Sequence, residues 1–427
     1  MAGEWQQMAA AQAFIINPRI KPPHARSLPF VDMAAVDGSA QYVEASQTRG
    51  LGGGSRFEDG DTLMARITPC LENGKIARFR STDRHGFGFG STEFIVFRGR
   101  DGVTTSDFAF YTVKSQVFRD FAISQMSGTS GRQRVPTTCF EHLHLSIPPI
   151  KVQEDITAVL SSLDEKIEIN RKAAATLEEM ARALFKCWFV DFDPVHANAE
   201  GRDTGLPADI AALFPDCFDD EGLPKEWKQS TVGELFSIVA GNTPSTKQAE
   251  YWGGAHAWAT PKDMSGLPGP LLTQTDRSLT EQGFNVCSSG KIPEMSLLMS
   301  SRAPIGYLAF NALPVSINQG IAAFVEKTLS PFYAWAWCHE NMKLIKSNAN
   351  GSTFQEISKG VLRTVAMIKP SPAVHDAFVA IMKTTFSRIV QLAEETASLT
   401  SLRDELLPKL LSGELGVADT ESVIAAA

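Results

Sequence analysis

A shift of 222 residues carries one long helical pattern of this chain onto a second, and that internal repeat limits the possible architectures more than any other feature. Ahead of the first pattern stands SGTSGRQRVPTTCFEHLHLSI (127–147), and ahead of the second NGSTFQEISKGVLRTVAMIK (350–369), so Gly128-Thr129-Ser130 answers Gly351-Ser352-Thr353. Each turn is followed by an apolar-polar alternation (Leu143, Leu145, Ile147; Val365, Met367) and then by prolines (Pro148, Pro149; Pro370, Pro372). Both stretches read as turn, strand and helix start.

In the first helical pattern Ile156, Leu160, Leu163, Ile167, Asn170, Ala174, Leu177, Ala181, Leu184 and Trp188 recur at spacings of four and three. In the second, Phe378, Met382, Thr385, Ile389, Leu392, Thr396, Leu399, Arg403, Leu406 and Leu410 keep the same phase. A single stripe of this kind is usually a core-facing helix face. Two matched stripes of about 33 residues, each roughly 50 Å long at 1.5 Å per residue, exceed what one small domain can cover. They are expected to pack on each other, antiparallel, with the polar positions Asn170, Thr385, Thr396 and Arg403 fixing register or facing a partner. Strand-like segments lie upstream of each: Thr62–Ile67, Ile76–Phe79 and Glu93–Arg98 in the first copy, Leu297–Ser300 and Ile321–Val325 in the second. Leu63-Met64-Ala65-Arg66 pairs weakly with Leu298-Met299-Ser300-Ser301-Arg302.

The expected fold class is α+β, with two β-rich globular domains separated by a pair of long antiparallel coiled-coil helices and related by a pseudo-twofold repeat. The expected boundaries are a first domain at 1–150, a central helix at 151–190, an acidic linker at 191–226, a second domain at 227–373, a distal helix at 374–415 and a disordered tail at 416–427. At 427 residues, two cores are also the expectation from length.

The formal net charge of −8 argues against nucleic acid only until it is located. Residues 191–226 hold ten acids and two bases, which accounts for all of it and leaves the remainder neutral. The start MAGEWQQMAAAQAFIINPRI lacks a signal-peptide pattern and no apolar run of about 18 residues follows, so a cytoplasmic location is expected. Six scattered cysteines without a C-x-x-C pair point to buried free thiols, not to zinc or disulfides.

Catalytic signatures are missing from this sequence. The Pro-Pro pairs sit in Lys21-Pro22-Pro23-His24 and Ile147-Pro148-Pro149-Ile150, not after the Asn or Asp of an adenine-methyltransferase motif, and no G-x-x-x-x-G-K-[ST] occurs. Pro215-Asp216 with Glu226-Trp227-Lys228 has the outline of a PD-(D/E)-x-K nuclease, but its acidic, Pro- and Gly-containing surroundings read as a solvated loop. The eight histidines do not cluster at metal-ligand spacing, and no metal site is expected.

Five ordered segments carry a resemblance: RFEDGDTLMARITPCLENGKIARF (56–79), GTSGRQRVP (128–136), LDEKIEINRKAAATLEEMARALFKCWFVDFDPV (163–195), GNTPSTKQAEYWGG (241–254) and LRDELLPKLLSGEL (402–415). Together they resemble the specificity subunits of type I restriction–modification systems. The resemblance implies a non-catalytic, DNA-binding chain in which each domain reads one half of a bipartite double-stranded site. It implies as partners two modification subunits and the restriction subunits. S-adenosylmethionine, ATP and Mg would be used by those partners, with no cofactor in this chain. A protein-binding scaffold that ignores DNA is the rival reading.

Residue chemistry supplies candidates for DNA contact, since Arg and Lys suit guanine and phosphate, Asn and Gln suit adenine, and Ser and Thr suit phosphate. They are Arg66, Lys75, Arg132, Gln133 and Arg134 in the first domain, and Thr243, Ser245, Lys247, Lys262, Arg302, Asn318, Gln319, Ser352 and Thr353 in the second. Leu177, Met180, Phe185, Trp188, Leu406 and Leu410 are the candidates for a subunit interface, with Phe185 and Trp188 as its aromatic anchor.

Overall fold

The computed structural model describes residues 4–129, 131–267, 269–302, 304–350 and 355–420. The chain forms two compact units, Met1–Ile169 with Glu395–Ala427, and Asn170–Glu394. Ser352 and Thr353 lie outside the described residues, as do Ser130 and Gly351 of the repeated turn.

The same plan builds both units. In the first, Gln6–Ala9 pairs antiparallel with His144–Ile147, with Gln6 opposite Ile147. In the second, Lys228–Thr231 pairs with Ala366–Lys369, with Lys228 opposite Lys369, each position displaced by the 222 residues seen in the helices. A short helical turn follows each (Ala10–Ala13; Val232–Leu235), and then the edge strand of a five-stranded sheet. The first sheet runs 14–16, 94–99, 62–65, 76–79, 42–43, and the second 236–240, 321–326, 297–300, 308–311, 271–272. A smaller sheet flanks each: 47–49, 28–31, 87–90, 55–58 in the first unit, and 277–279, 252–259, 316–317 in the second.

The segments expected as strands at 62–67, 76–79, 93–98, 297–300 and 321–325 are these central strands. Both faces are covered, so they read as near-continuous apolar runs, such as Phe94–Gly99 and Ile321–Glu326, and not as alternations. Their register also settles the weak pairing of the repeat. Ala65 stands opposite Phe94 as Ser300 stands opposite Ile321, so Arg66 corresponds to Ser301 and Ile67 to Arg302. The two arginines are therefore not equivalent.

The central helix spans Ile150–Phe189 and the distal helix Pro372–Ser412, 40 and 41 residues, or roughly 60 Å each. Prolines preset their starts, with Pro149 just before one and Pro372 inside the first turn of the other. Gly413, at φ +76°, ends the distal helix in the left-handed conformation that glycine adopts without strain. Seam residues towards the helix ends face inward: Ile156, Leu160 and Leu163 join Leu406 and Leu410, with Leu402 and Leu407 beside them, in the core of the first unit. Ala181, Phe185 and Trp188 join Phe378, Met382 and Phe386 in the core of the second.

Three expectations change. Residues 191–226 are not a solvated linker: they form the helices Asp193–Ala199 and Ala208–Ala211, and Val195 and Phe214 are buried in the second unit's core. The tail beyond 416 is packed as far as Thr420, which is buried, while Val417 lies against the first unit's core; residues 421–427 lie outside the described residues. The six cysteines are free, but only Cys139, Cys287 and Cys338 are buried, the other three being half-exposed to solvent.

Candidate nucleic-acid interface

In each unit the loops that carry the sequence candidates converge where the central strand of the five-stranded sheet runs out. In the first, Arg66 follows Thr62–Ala65; its amide donates to the Glu93 carbonyl (2.9 Å), and its own carbonyl accepts from the Val135 amide (2.9 Å). Arg134 bridges to both Ile67 and Ser127, so three chain segments are knotted at one edge. The Arg134 guanidinium forks onto Glu93, with Nε 2.9 Å from Oε2 and Nη2 2.7 Å from Oε1. That fork, aided by the charge of Arg66, holds the Glu93 carboxyl below the usual carboxylate range. Gln133 and Thr68 clasp each other through the Gln133 amide on Thr68 Oγ1 and the Thr68 amide on the Gln133 carbonyl, both 3.1 Å. Arg132, beside them, is exposed.

The second unit repeats the knot with different side chains. The Ser301 amide donates to the Gly320 carbonyl (2.8 Å) and the Ser301 carbonyl accepts from Ile357 (3.0 Å), which are the counterparts of the Arg66 bonds. Arg302 and Asn350 both bridge Glu356, and Arg302 Nε lies 2.9 Å from Glu356 Oε2. Position 134 of the first knot thus corresponds to 356 of the second, where the charge is inverted. Next to it, Thr243 Oγ1 donates to Gln319 Oε1 (2.6 Å), Asn318 Oδ1 accepts the Gly320 amide (2.9 Å), and the Asn318 amide donates to Ala259 (3.0 Å). Gly241, which opens the GNTPS loop, has no room for a side chain: a Cβ would lie 1.6 Å from the Ile317 carbonyl oxygen. Backbone crowding at Gly241 therefore sets the course of the loop that presents Thr243, Ser245 and Lys247, all exposed. Lys262 Nζ is 2.7 Å from Asp276 Oδ2 on the surface nearby.

The structure brings Arg66, Arg132, Gln133 and Arg134 together, and likewise Thr243, Arg302, Asn318 and Gln319. Two of the candidates are bonded to backbone. Arg66 Nη2 is bonded to the Val135 carbonyl (2.8 Å) and Lys75 Nζ to the Met33 carbonyl (2.7 Å), and both residues are half-buried. Sequence reasoning missed a cleft of about 560 Å³ lined by Arg19, Lys21 and Arg56, because Arg56 lies 35 residues beyond Lys21 and no local signal joins them. It also missed Arg277, stacked 3.4 Å over the Trp252 ring.

The interface candidates need a larger correction. Phe185 and Trp188 are enclosed by Tyr333, Phe378, Phe189 and Phe214 within the second unit, and Leu406 and Leu410 are fully buried in the first. Aromatic bulk at a helix end suits a docking anchor and a core side chain equally well in sequence, and here it fills a core. Of the six candidates, Met180, 61% exposed, and half-buried Leu177 remain at the surface; Ile169, on the same helix and absent from the sequence candidates, is also exposed. The nuclease-like residues do not share adjacent strands: Asp216 is exposed in a coil, Phe218 bridges Pro224, and Trp227 is buried. No helix among the described residues is long and apolar enough to cross a membrane.

A family model described as "Type I restriction modification DNA specificity domain" matches residues 66–179 and 224–398. The chain is 27% identical over 425 residues to the type I restriction enzyme HindI specificity subunit of Haemophilus influenzae, covering 88% of this chain and 91% of that protein. It is 34% identical over 153 residues to the MjaIX specificity subunit of Methanocaldococcus jannaschii, covering 35% of each. The solved structure of a type I restriction–modification S subunit from M. genitalium superposes with a TM-score of 0.52 at 16% identity, covering 95% of this chain and 96% of that one. That likeness is one of fold.

Proposed function

The chain belongs to the type I restriction–modification DNA specificity family, and from that premise we propose that its two β-rich units each read one half of a bipartite duplex site. The observation that carries this reading is the twice-built knot at the end of the central strand. Two sheets of the same order expose at the same place a loop set bearing Arg132 and Arg134 in one unit, and Thr243, Lys247, Arg302 and Gln319 in the other. A shared backbone with different side chains is what two readers of different base sequences require. Exposed Lys and Arg would neutralise phosphates, while Gln133, Asn318 and Gln319 have the donor and acceptor pair that suits adenine.

In this reading the chain performs no chemistry itself. Its long helices dock the modification subunits, of which there are two, and these recruit the restriction subunits. Leu177, Met180 and Ile169 are the apolar positions on the central helix left for that role. S-adenosylmethionine, ATP and Mg act in the partners.

Titrating the chain with its modification subunit against labelled duplex at several salt concentrations tests the reading. Binding should weaken linearly on a log–log plot, and Arg132→Ala with Arg134→Ala should lower the slope by about one for each phosphate that is no longer neutralised. Arg134→Ala should cost little stability, because its ion pair is exposed. A scaffold that binds only protein would show no salt-sensitive DNA binding, and that result would overturn the proposal.

A further inference from the structure

The helices of the spacer are built as two copies of one pattern, so two ways of pairing are open to them. The central helix can pair with the distal helix of its own chain, or with the central helix of a second copy, since the 222-residue shift makes the two helices near equivalents. The seams alone, rich in Leu, Ile and Phe in both copies, do not choose between these. One polar pair in the first unit does.

Asp164 and Arg403 face each other from the two helices, with Nη1 2.7 Å from Oδ1 and side chains only 3% and 9% exposed. The other carboxylate oxygen of Asp164 accepts from Tyr111 Oη (2.9 Å), and Arg403 also grips Asp404 (2.7 Å). Burial and the neighbouring Asp164 carboxylate both keep Tyr111 protonated, so it remains a donor. The same shift carries Asp164 onto Phe386 and Ala181 onto Arg403. In the second unit this symmetry-related position is therefore wholly apolar, and both Phe386 and Ala181 are buried in its core.

We propose that the Asp164–Arg403 pair is a selectivity lock that makes the spacer close within one chain and rejects pairing with a second copy. In a central-to-central pair, Asp164 would face Ala181 of the other copy, and in a distal-to-distal pair, Arg403 would face Phe386. The first mismatch buries the Asp164 carboxylate without its counterion, the second removes the buried partner of Arg403 and leaves it only the exposed Asp404, and each occurs twice in a symmetric dimer, which is where the selectivity arises. An apolar pair would hold the native helices equally well but would not discriminate. The inference rests on the repeat and on this ion pair, not on the DNA-reading proposal.

The test uses the full-length chain in two differently tagged forms, co-expressed, with mixed dimers measured by tandem capture and sedimentation. The variants are an apolar replacement, Asp164→Leu with Arg403→Met, and a charge swap, Asp164→Arg with Arg403→Asp. Single substitutions strand a buried charge and are avoided. The unchanged chain and the charge swap should give the same low yield of mixed dimers, and the apolar variant roughly tenfold more or higher, the effect of one decade of pairing selectivity. Should the swap fail to fold, the comparison of the apolar variant with the unchanged chain decides alone. Equal yields from the apolar variant and the unchanged chain, or mixed dimers from a folded charge swap at the apolar variant's level, would overturn the proposal.

Discussion

Replacing Trp188 by Ala distinguishes a core side chain from a docking anchor, because the two roles predict opposite outcomes. The indole is fully buried, with Phe214 at 4.9 Å and 83°, and Phe378 and Phe189 each at 6.1 Å. A buried aromatic of this class removes about 150–250 Å² from water, worth about 4–6 kcal/mol at ~25 cal/mol per Å². Its ring N–H is buried without a hydrogen-bond partner among the described residues, so deleting it returns about 1 kcal/mol. The net expected loss is about 3–5 kcal/mol, in the range for large-to-small aromatic changes. Guanidinium unfolding followed by tryptophan fluorescence reads it selectively, since Trp227, Trp252, Trp258, Trp335 and Trp337 remain in the second unit and only Trp5 lies in the first. For a denaturant slope of about 5 kcal/mol/M, the midpoint should fall by about 0.6–1 M, while Trp188→Phe should shift it by less than about 0.3 M. A Trp188→Ala chain with an unmoved midpoint that no longer binds its modification subunit would refute the core assignment.

Three further outcomes are expected. Burial, helped by the charge of Arg182, pushes His339 down to about 4, so the folded chain refuses a proton that the unfolded chain accepts below about 6.5. Stability of the second unit is therefore complete above pH 6.5 and should fall by roughly 2–3 kcal/mol as pH drops towards 4; His339→Phe should flatten that window in fluorescence-detected melts. Met180→Asp should abolish co-purification with the modification subunit while changing the melting temperature by under about 1 °C, because the side chain is 61% exposed. Lys247→Ala should weaken DNA binding uniformly across sequences and reduce the salt slope by about one, as measured by fluorescence anisotropy.

What can be read in the sequence is the part written in local period. The two seams, the prolines before them and the apolar runs at 62–67 and 321–325 are contiguous signals, and the structure places helices and central strands there. The strand at His144–Ile147 is legible from its alternation, but its pairing with Gln6–Ala9 is not, because the two are more than a hundred residues apart and Gln6–Ala9 carries no alternation. Residues 191–226 read as a linker because their acids dominate the charge count, while Val195, Leu206, Ile210 and Phe214, spread among them, are what pack. Arg403 stands out as a polar seam position, but its partner Asp164 sits one residue off the seam at Leu163, so spacing alone cannot pair them. In the loops that carry the candidates, the sequence does not say which side chains are engaged: Arg66 and Lys75 meet backbone carbonyls, whereas Arg132 and Lys247 face solvent.

The central claim is that each unit reads its own half of the DNA site, and exchanging one reader tests it most directly. Residues 1–150 would be replaced by the equivalent stretch of a family member with a different target, the chimera paired with the modification subunit, and methylated adenines mapped across a genome. The account predicts a motif in which one half-site changes to that of the donor and the other half is retained. A chimera that folds and methylates but alters both halves, or neither, would contradict it.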